Sequence, residues 1–159
     1  IGTGMFFYLQ DWDEFWVPHN PEPGIIIWFD IINDNYLNNK EVFRCPTNRN
    51  HNYDLMGIWG ACASYGYNCY GLSFVDDKQQ YWMKMSQLRG SDPPGETICV
   101  TDAIEPWIFA TNPRQPVSNR HSGGCNILWC DGHVSWHLYE EVQITHNPEW
   151  WGNGPPNLR

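Results

Sequence analysis

The side chains best suited to chemistry are concentrated between Asn119 and His137, NRHSGGCNILWCDGHVSWH. His121 and Asp131 are separated by nine residues and read as a charged pair. Each also has a purely structural use. An aspartate in a turn accepts backbone N–H bonds, and a histidine at the far end of a strand bonds a loop carbonyl. His121, Asp131 and His133 are the candidate ligands for zinc, which at a catalytic site takes three protein ligands and keeps one open position. No His-Glu-x-x-His pair accompanies them, so a metal-dependent hydrolase is the weakest of the functional readings. His133 and His137 share strand parity and lie about 13 Å apart when extended, too far to share an ion.

Calcium draws on a different set. Hard cations take carboxylate and carbonyl oxygens, and Asp11, Asp13, Asp102 and Asp131 are the candidate ligands, with Glu14, Asp76 and Asp77 as further acidic groups. No Asp-x-Asp-x-Asp-Gly loop is present, and Asp11-Trp12-Asp13-Glu14 also reads as a solvated helix end. Nucleophilic catalysis has no support. None of Ser64, Ser73, Ser86, Ser91, Ser118, Ser122 and Ser135 sits in Gly-x-Ser-x-Gly. Gly2-x-Gly4 is too short for a phosphate loop and leads into no βαβ unit.

The elements that must position these groups are mixed. Ile1, Met5, Leu9, Trp12 and Trp16 recur at helical spacing, which predicts a helix over residues 1–15 ended by Pro18. A second helix is expected over 25–38, ended by Asn38-Asn39, with a strand over the Ile25 to Ile27 run as the alternative. From Cys45 to Gly71 the chain is Asn-rich and Gly-punctuated, a long loop with a short strand near Tyr65 to Asn68. Met85 to Leu88 reads as a helical turn, Asp92 to Gly95 as a turn, Thr97 to Thr101 as a strand, and Thr111 to Gln115 as a loop. Asp131-Gly132 between two β-prone runs predicts a hairpin over 119–138 with a two-residue turn. The tail over 146–159 has little regular pattern. One domain over 1–159 is expected, of α+β class: an N-terminal helix packed on a small antiparallel sheet with long loops.

Five ordered stretches carry a family resemblance. Arg120, His121, Gly123, Gly124, Asn126, Asp131, Gly132, His133 and Val134 resemble the signature of prepilin-type proteins with a C-terminal "H-X9-DG" domain, relatives of the type II secretion pseudopilins. EVFRCP (Glu41 to Pro46), SYGYN (Ser64 to Asn68) and ETICVTDA (Glu96 to Ala103) resemble three further elements of that family. Ile1, Gly2, Met5, Tyr8, Gln10, Asp11, Trp12 and Asp13 resemble the region where its long N-terminal helix ends. The resemblance implies a pilin-like head whose helix runs through residue 16. It implies a place at the cell surface or outside the cell, and self-assembly into a filament with itself or other pilin-like subunits. Related pseudopilins hold a loop calcium ion, so calcium is the one cofactor implied, and none is required. The apolar membrane segment of the family, ~20 residues long, is not in this sequence. Its longest apolar runs, Met5 to Leu9 and Ile25 to Phe29, are five residues each.

An exported family makes disulfides the leading reading of Cys45, Cys62, Cys69, Cys99, Cys125 and Cys130. Cys125 and Cys130 have opposite strand parity and should not bond each other. Cys62 and Cys69 flank SYGYN and can close a small loop; Cys45 or Cys99 then partners the C-terminal strand. Buried free thiols are the alternative. No Cys-x-x-Cys is present, which removes support for zinc-ribbon or thioredoxin-like chemistry.

Composition narrows the partners. The net charge of −9 argues against nucleic acid and anionic lipid. Fourteen Gly and twelve Pro predict a loop-rich chain. Ten Trp and eight Tyr fill a core, make subunit contacts or stack on sugars. Trp12, Trp16, Trp150 and Trp151 are the interface candidates. The expected role is structural rather than enzymatic, a filament subunit; a secreted glycan- or protein-binding module is the alternative.

Overall fold

In the computed structural model, residues 1–18, 28–52, 63–75, 80–90, 92–108, 117–143 and 145–152 are described. Helix α1 (Gly2–Asp11) opens the chain. Met5, Tyr8 and Leu9, one turn apart, are buried. Gly4 lets the helix come close to its neighbour, since a Cβ there would meet Ile32 Cγ2 at 2.7 Å. The apolar period continues past Asp11, but the helix does not reach residue 15 or 16 as expected. Asp13 (φ 50°) and Glu14 (φ 66°) are left-handed, and the Glu14 N–H closes on the Leu9 carbonyl. Phe15 then bridges Lys84, and Trp16 turns into the core.

Helix α2 (Trp28–Ile32) continues as a π-helical turn, Asn33–Leu37, which Asn38 ends in a left-handed conformation. The Asn38-Asn39 stop is where the sequence places it. Residues 25–27, the expected start of that helix, lie outside the described residues. A 3₁₀ turn, Lys40–Phe43, leads to Cys45.

The strands follow: β1 (Tyr65–Asn68), then a helical turn α3 (Cys69–Leu72), β2 (Ser73–Val75), β3 (Gln80–Trp82), β4 (Ile98–Asp102), β5 (Trp107–Ile108), β6 (Gly124–Trp129) and β7 (Val134–Leu138). The main sheet runs β5-β1-β4-β6-β7, antiparallel except for the short parallel β1/β5 pair; β2 and β3 form a separate ribbon. The class is α+β, as expected. Short 3₁₀ turns occupy Met85–Gln87, Pro94–Glu96 and Pro148–Trp151.

Two apolar clusters fill the fold. One joins Met5, Leu9, Trp16, Trp28, Phe29, Ile32 and Phe43 to Tyr67 and Val100. The other joins Ile98, Ile108, Cys125, Ile127 and Trp129 to Val142 and Trp151. Strand β6 serves both, because Leu128 packs on the first while Ile127 and Trp129 belong to the second. Each fully buried large apolar side chain contributes about 1.5–3 kcal/mol by leaving water. Two interface candidates are therefore core residues: Trp16 is 1 % and Trp151 0 % exposed. Trp150 is half-buried, edge-on to Trp129 and His137. Trp12 alone of the four is exposed, at 57 %.

The disulfide ties expected for the loops are not formed among the described residues. Cys45, Cys69, Cys99, Cys125 and Cys130 are buried free thiols; Cys62 lies outside the described residues. Burial pushes the thiols of Cys69 and Cys130 well above their ordinary range and that of Cys125 up to about 11, so these are inert groups. Amide side chains tie the loops instead. Buried Asn68 donates from Nδ2 to the carbonyls of Ile98 (2.9 Å) and Trp151 (3.1 Å) and accepts the Gly71 N–H at Oδ1. That clamp docks the C-terminal turn, in a tail whose sequence carries little pattern, onto the sheet. Among the described residues, no helix is long and apolar enough to cross a membrane.

Candidate metal centre

Three segments meet at one end of β4. The first is the turn after the Lys40–Phe43 3₁₀ helix. Its Cys45 carbonyl accepts from the Asn48 N–H, and Asn48 Nδ2 donates to the Ala63 carbonyl (2.7 Å) and to Ser64 Oγ (3.1 Å). Ser64 Oγ in turn bonds His51 Nδ1 at 3.1 Å. This network fixes Cys45 beside the start of β1.

The second segment is the end of β4. Asp102 is fully buried, a costly position for a carboxylate unless it is bonded. Its Oδ2 accepts the backbone N–H of Asn126 at 2.7 Å and the Asn126 Nδ2 at 3.0 Å. Thr101 Oγ1 donates to the Asn126 carbonyl, so both strands hold that residue.

The third segment is the turn before β6. Ser122 (φ 54°) and Gly123 (φ 86°) are both left-handed, and His121 and Gly124 exchange backbone bonds at 3.2 and 3.0 Å. This is a two-residue type I′ turn, which presents His121 at the mouth of the sheet. Trp136 Nε1 donates to the His121 carbonyl.

The result is a convergence on one point. His121 Nε2 lies 3.4 Å from Cys45 Sγ and 3.3 Å from Asp102 Oδ1. All three ligand atoms lie within 4.8 Å of one another, the one such grouping of His, Cys and carboxylate residues among the described residues. Cys45 and Asp102 are buried; the His121 side chain is 26 % exposed. Tyr65 stands nearby. Its hydroxyl is pushed up to about 12, first by burial and then by the proximity of Cys45 and Asp102, with Arg120 opposing. Arg120 Nε donates to Ser118 Oγ, and its Nη2 to the Ala103 carbonyl.

This arrangement is not a nucleophile relay. A Cys-His-Asp relay uses both ring nitrogens, one toward the thiol and the other toward the carboxylate. Here a single nitrogen faces both groups, and the thiol is 1 % exposed. Two chemistries fit: a buried His–Asp ion pair with a thiol beside it, or three donors around one cation.

The other candidate residues fall elsewhere. Asp131 is not the partner of His121. It sits at the tip of the β6–β7 hairpin, where Oδ1 accepts from the His133 backbone N–H (3.0 Å) and meets His133 Nδ1 (2.7 Å). The zinc set His121, Asp131 and His133 is thereby divided between the two ends of β6. The hairpin is present, but its loop has three residues, Cys130 to Gly132. The Gly132 N–H bonds the Trp129 carbonyl, and Gly132 is left-handed at φ 96°. His133 stacks on Trp129, and His137 meets the same ring edge-on. The four calcium candidates are not brought together. Asp11 is exposed at the end of α1, Asp13 pairs with Lys84, Asp102 is buried in the sheet and Asp131 caps the hairpin.

In the sequence, Cys45 belongs to EVFRCP and to the disulfide candidates, and nothing marks it as a metal ligand. Its distance along the chain from His121, 76 positions, leaves no local spacing that marks it as a ligand.

The chain matches no known family model, no curated protein and no solved structure.

Proposed function

We propose that this chain is the globular head of a pilin- or pseudopilin-like subunit, with a structural role in an extracellular filament assembled from copies of itself or from similar subunits. The observation that carries this reading is the use made of α1. Its inner face is committed to the head through Met5, Tyr8 and Leu9, while Phe7 (49 % exposed) and, just past its C-terminal end, Trp12 (57 %) face outward. Large aromatics left outside on a helix that also anchors the core suit contacts with neighbouring subunits. A second observation supports it. The stretches that resemble the prepilin-type family, EVFRCP, SYGYN, ETICVTDA and the His121 turn, are far apart in sequence. They gather around Cys45, Tyr65, Asp102 and His121.

The test is made in cells of the source organism. Surface filaments are sheared off, and the chain is sought in them by mass spectrometry and immunogold labelling. Phe7→Ala with Trp12→Ala should remove it from the filament fraction while the isolated head stays folded. A chain found only as soluble secreted monomer would contradict the reading. The binding-module alternative draws on the exposed indoles of Trp82 (43 %) and Trp136 (46 %). A glycan-array signal lost on replacing those two residues would favour it.

A further inference from the structure

We propose that Cys45, Asp102 and His121 form a binding site for a borderline-soft divalent cation of the zinc class, with one coordination position left for water or an exogenous ligand. The inference stands apart from the filament reading. Zinc–sulfur bonds of ~2.3 Å and zinc–nitrogen or –oxygen bonds of ~2.0 Å give tetrahedral edges of about 3.5 Å for S–N and about 3.3 Å for N–O. The measured edges are 3.4 Å from Cys45 Sγ to His121 Nε2 and 3.3 Å from His121 Nε2 to Asp102 Oδ1. The apices of a chelate are therefore already set on the His121 side.

Donor type selects the metal. A thiolate and an imidazole favour zinc-class ions over calcium or magnesium, which take oxygen ligands. The outer shell is also built. Asp102 presents Oδ1 to the centre because Oδ2 is held by both nitrogens of Asn126, the carboxylate support that ligand geometry requires. On binding, the Cys45 thiol gives up its proton to solvent, and His121 coordinates as neutral imidazole through Nε2. Three different ligands and a partly exposed histidine make the site an open one.

The experiment titrates the reduced, metal-free chain with Zn²⁺ and, as a spectroscopic probe, Co²⁺. One equivalent should bind, and Co²⁺ should show a thiolate-to-metal charge-transfer absorption that Cys45→Ser abolishes. His121→Asn should weaken Zn²⁺ by at least ~10-fold. Asn126→Ala, which touches no coordinating atom but removes the side-chain donor to Asp102 Oδ2 and leaves the backbone N–H in place, should weaken it roughly 10-fold. Asp131→Asn, at the far end of β6, should change nothing. Should Cys45→Ser fail to fold, His121→Asn and Asn126→Ala still decide the matter. Binding at wild-type affinity in both, a charge-transfer band that survives in folded Cys45→Ser, or the absence of stoichiometric binding would each overturn the proposal.

Discussion

His121 Nε2 lies 3.3 Å from Asp102 Oδ1, whereas the sequence around His121 suggests Asp131 as its partner. His121 looks toward Asp131 along the chain, but strand β6 carries Asp131 away to the hairpin tip. Asp102 arrives from β4, the strand hydrogen-bonded beside β6, and its buried carboxylate depends on the bonds it accepts. Asp102→Asn keeps the shape but sets an amide against the two Asn126 donors. Losing charge-assisted bonds at a buried site costs about 2–4 kcal/mol, read as a fall in urea midpoint with unchanged slope. Unchanged stability would show that the carboxylate charge holds nothing in place.

Three of the four tryptophans proposed as interface residues should separate cleanly. Trp16→Ala and Trp151→Ala each remove a fully buried ring and should cost about 3–5 kcal/mol. Trp12→Ala removes an exposed ring stacked on Tyr8 at 5.6 Å between centroids and should cost under about 1 kcal/mol. Urea denaturation of the three variants checks the ranking. A Trp12 variant as damaged as the other two would put that ring in the core.

Gly71 tests the clamp that docks the C-terminal turn. A Cβ there would stand 2.2 Å from the Trp151 carbonyl oxygen and 2.8 Å from Asn68 Nδ2. Backbone cannot swing aside, so Gly71→Ala should cost at least about 2 kcal/mol. Hydrogen exchange should show the amides of Trp150 and Gly152 losing protection. A variant as stable as the parent would mean that the tail is not seated there.

Asp131 gives the chain an acid-sensitive hairpin. Burial by itself pushes its carboxyl up, but the backbone N–H and ring of His133 outweigh that and hold it below its ordinary range. A carboxyl whose folded value is depressed adds stability above its unfolded value of about 3.9, and that stability is lost as pH falls through the lower folded value. Asp131→Asn should therefore narrow the loss of stability between neutral pH and pH ~3. The effect is small, because the side chain is 44 % exposed. Denaturation midpoints at the two pH values measure it, and an undiminished loss in the variant would assign the acid sensitivity elsewhere.

What could be read from the sequence was local. The hairpin was legible because strand alternation and Asp-Gly act over a few residues; only its loop length differs, set by Gly132 closing a three-residue turn. The first helix stops short of its apolar period, which runs on to Trp16, because two left-handed residues after Asp11 turn the chain. The loops are tied by the side-chain amides of Asn48 and Asn68 and not by the disulfides that the family resemblance implies, and such amides leave no spacing signal. The site was illegible for the same reason. Cys45, Asp102 and His121 meet only once β4 and β6 are adjacent and the turn before β1 is pinned by Asn48.

The most direct measurement is zinc-edge X-ray absorption on the zinc-loaded chain. The account predicts one sulfur scatterer at about 2.3 Å with the remaining ligands nitrogen or oxygen at about 2.0–2.2 Å, and loss of the sulfur shell in Cys45→Ser. A shell of oxygen and nitrogen alone, or one with two or more sulfurs, would contradict it.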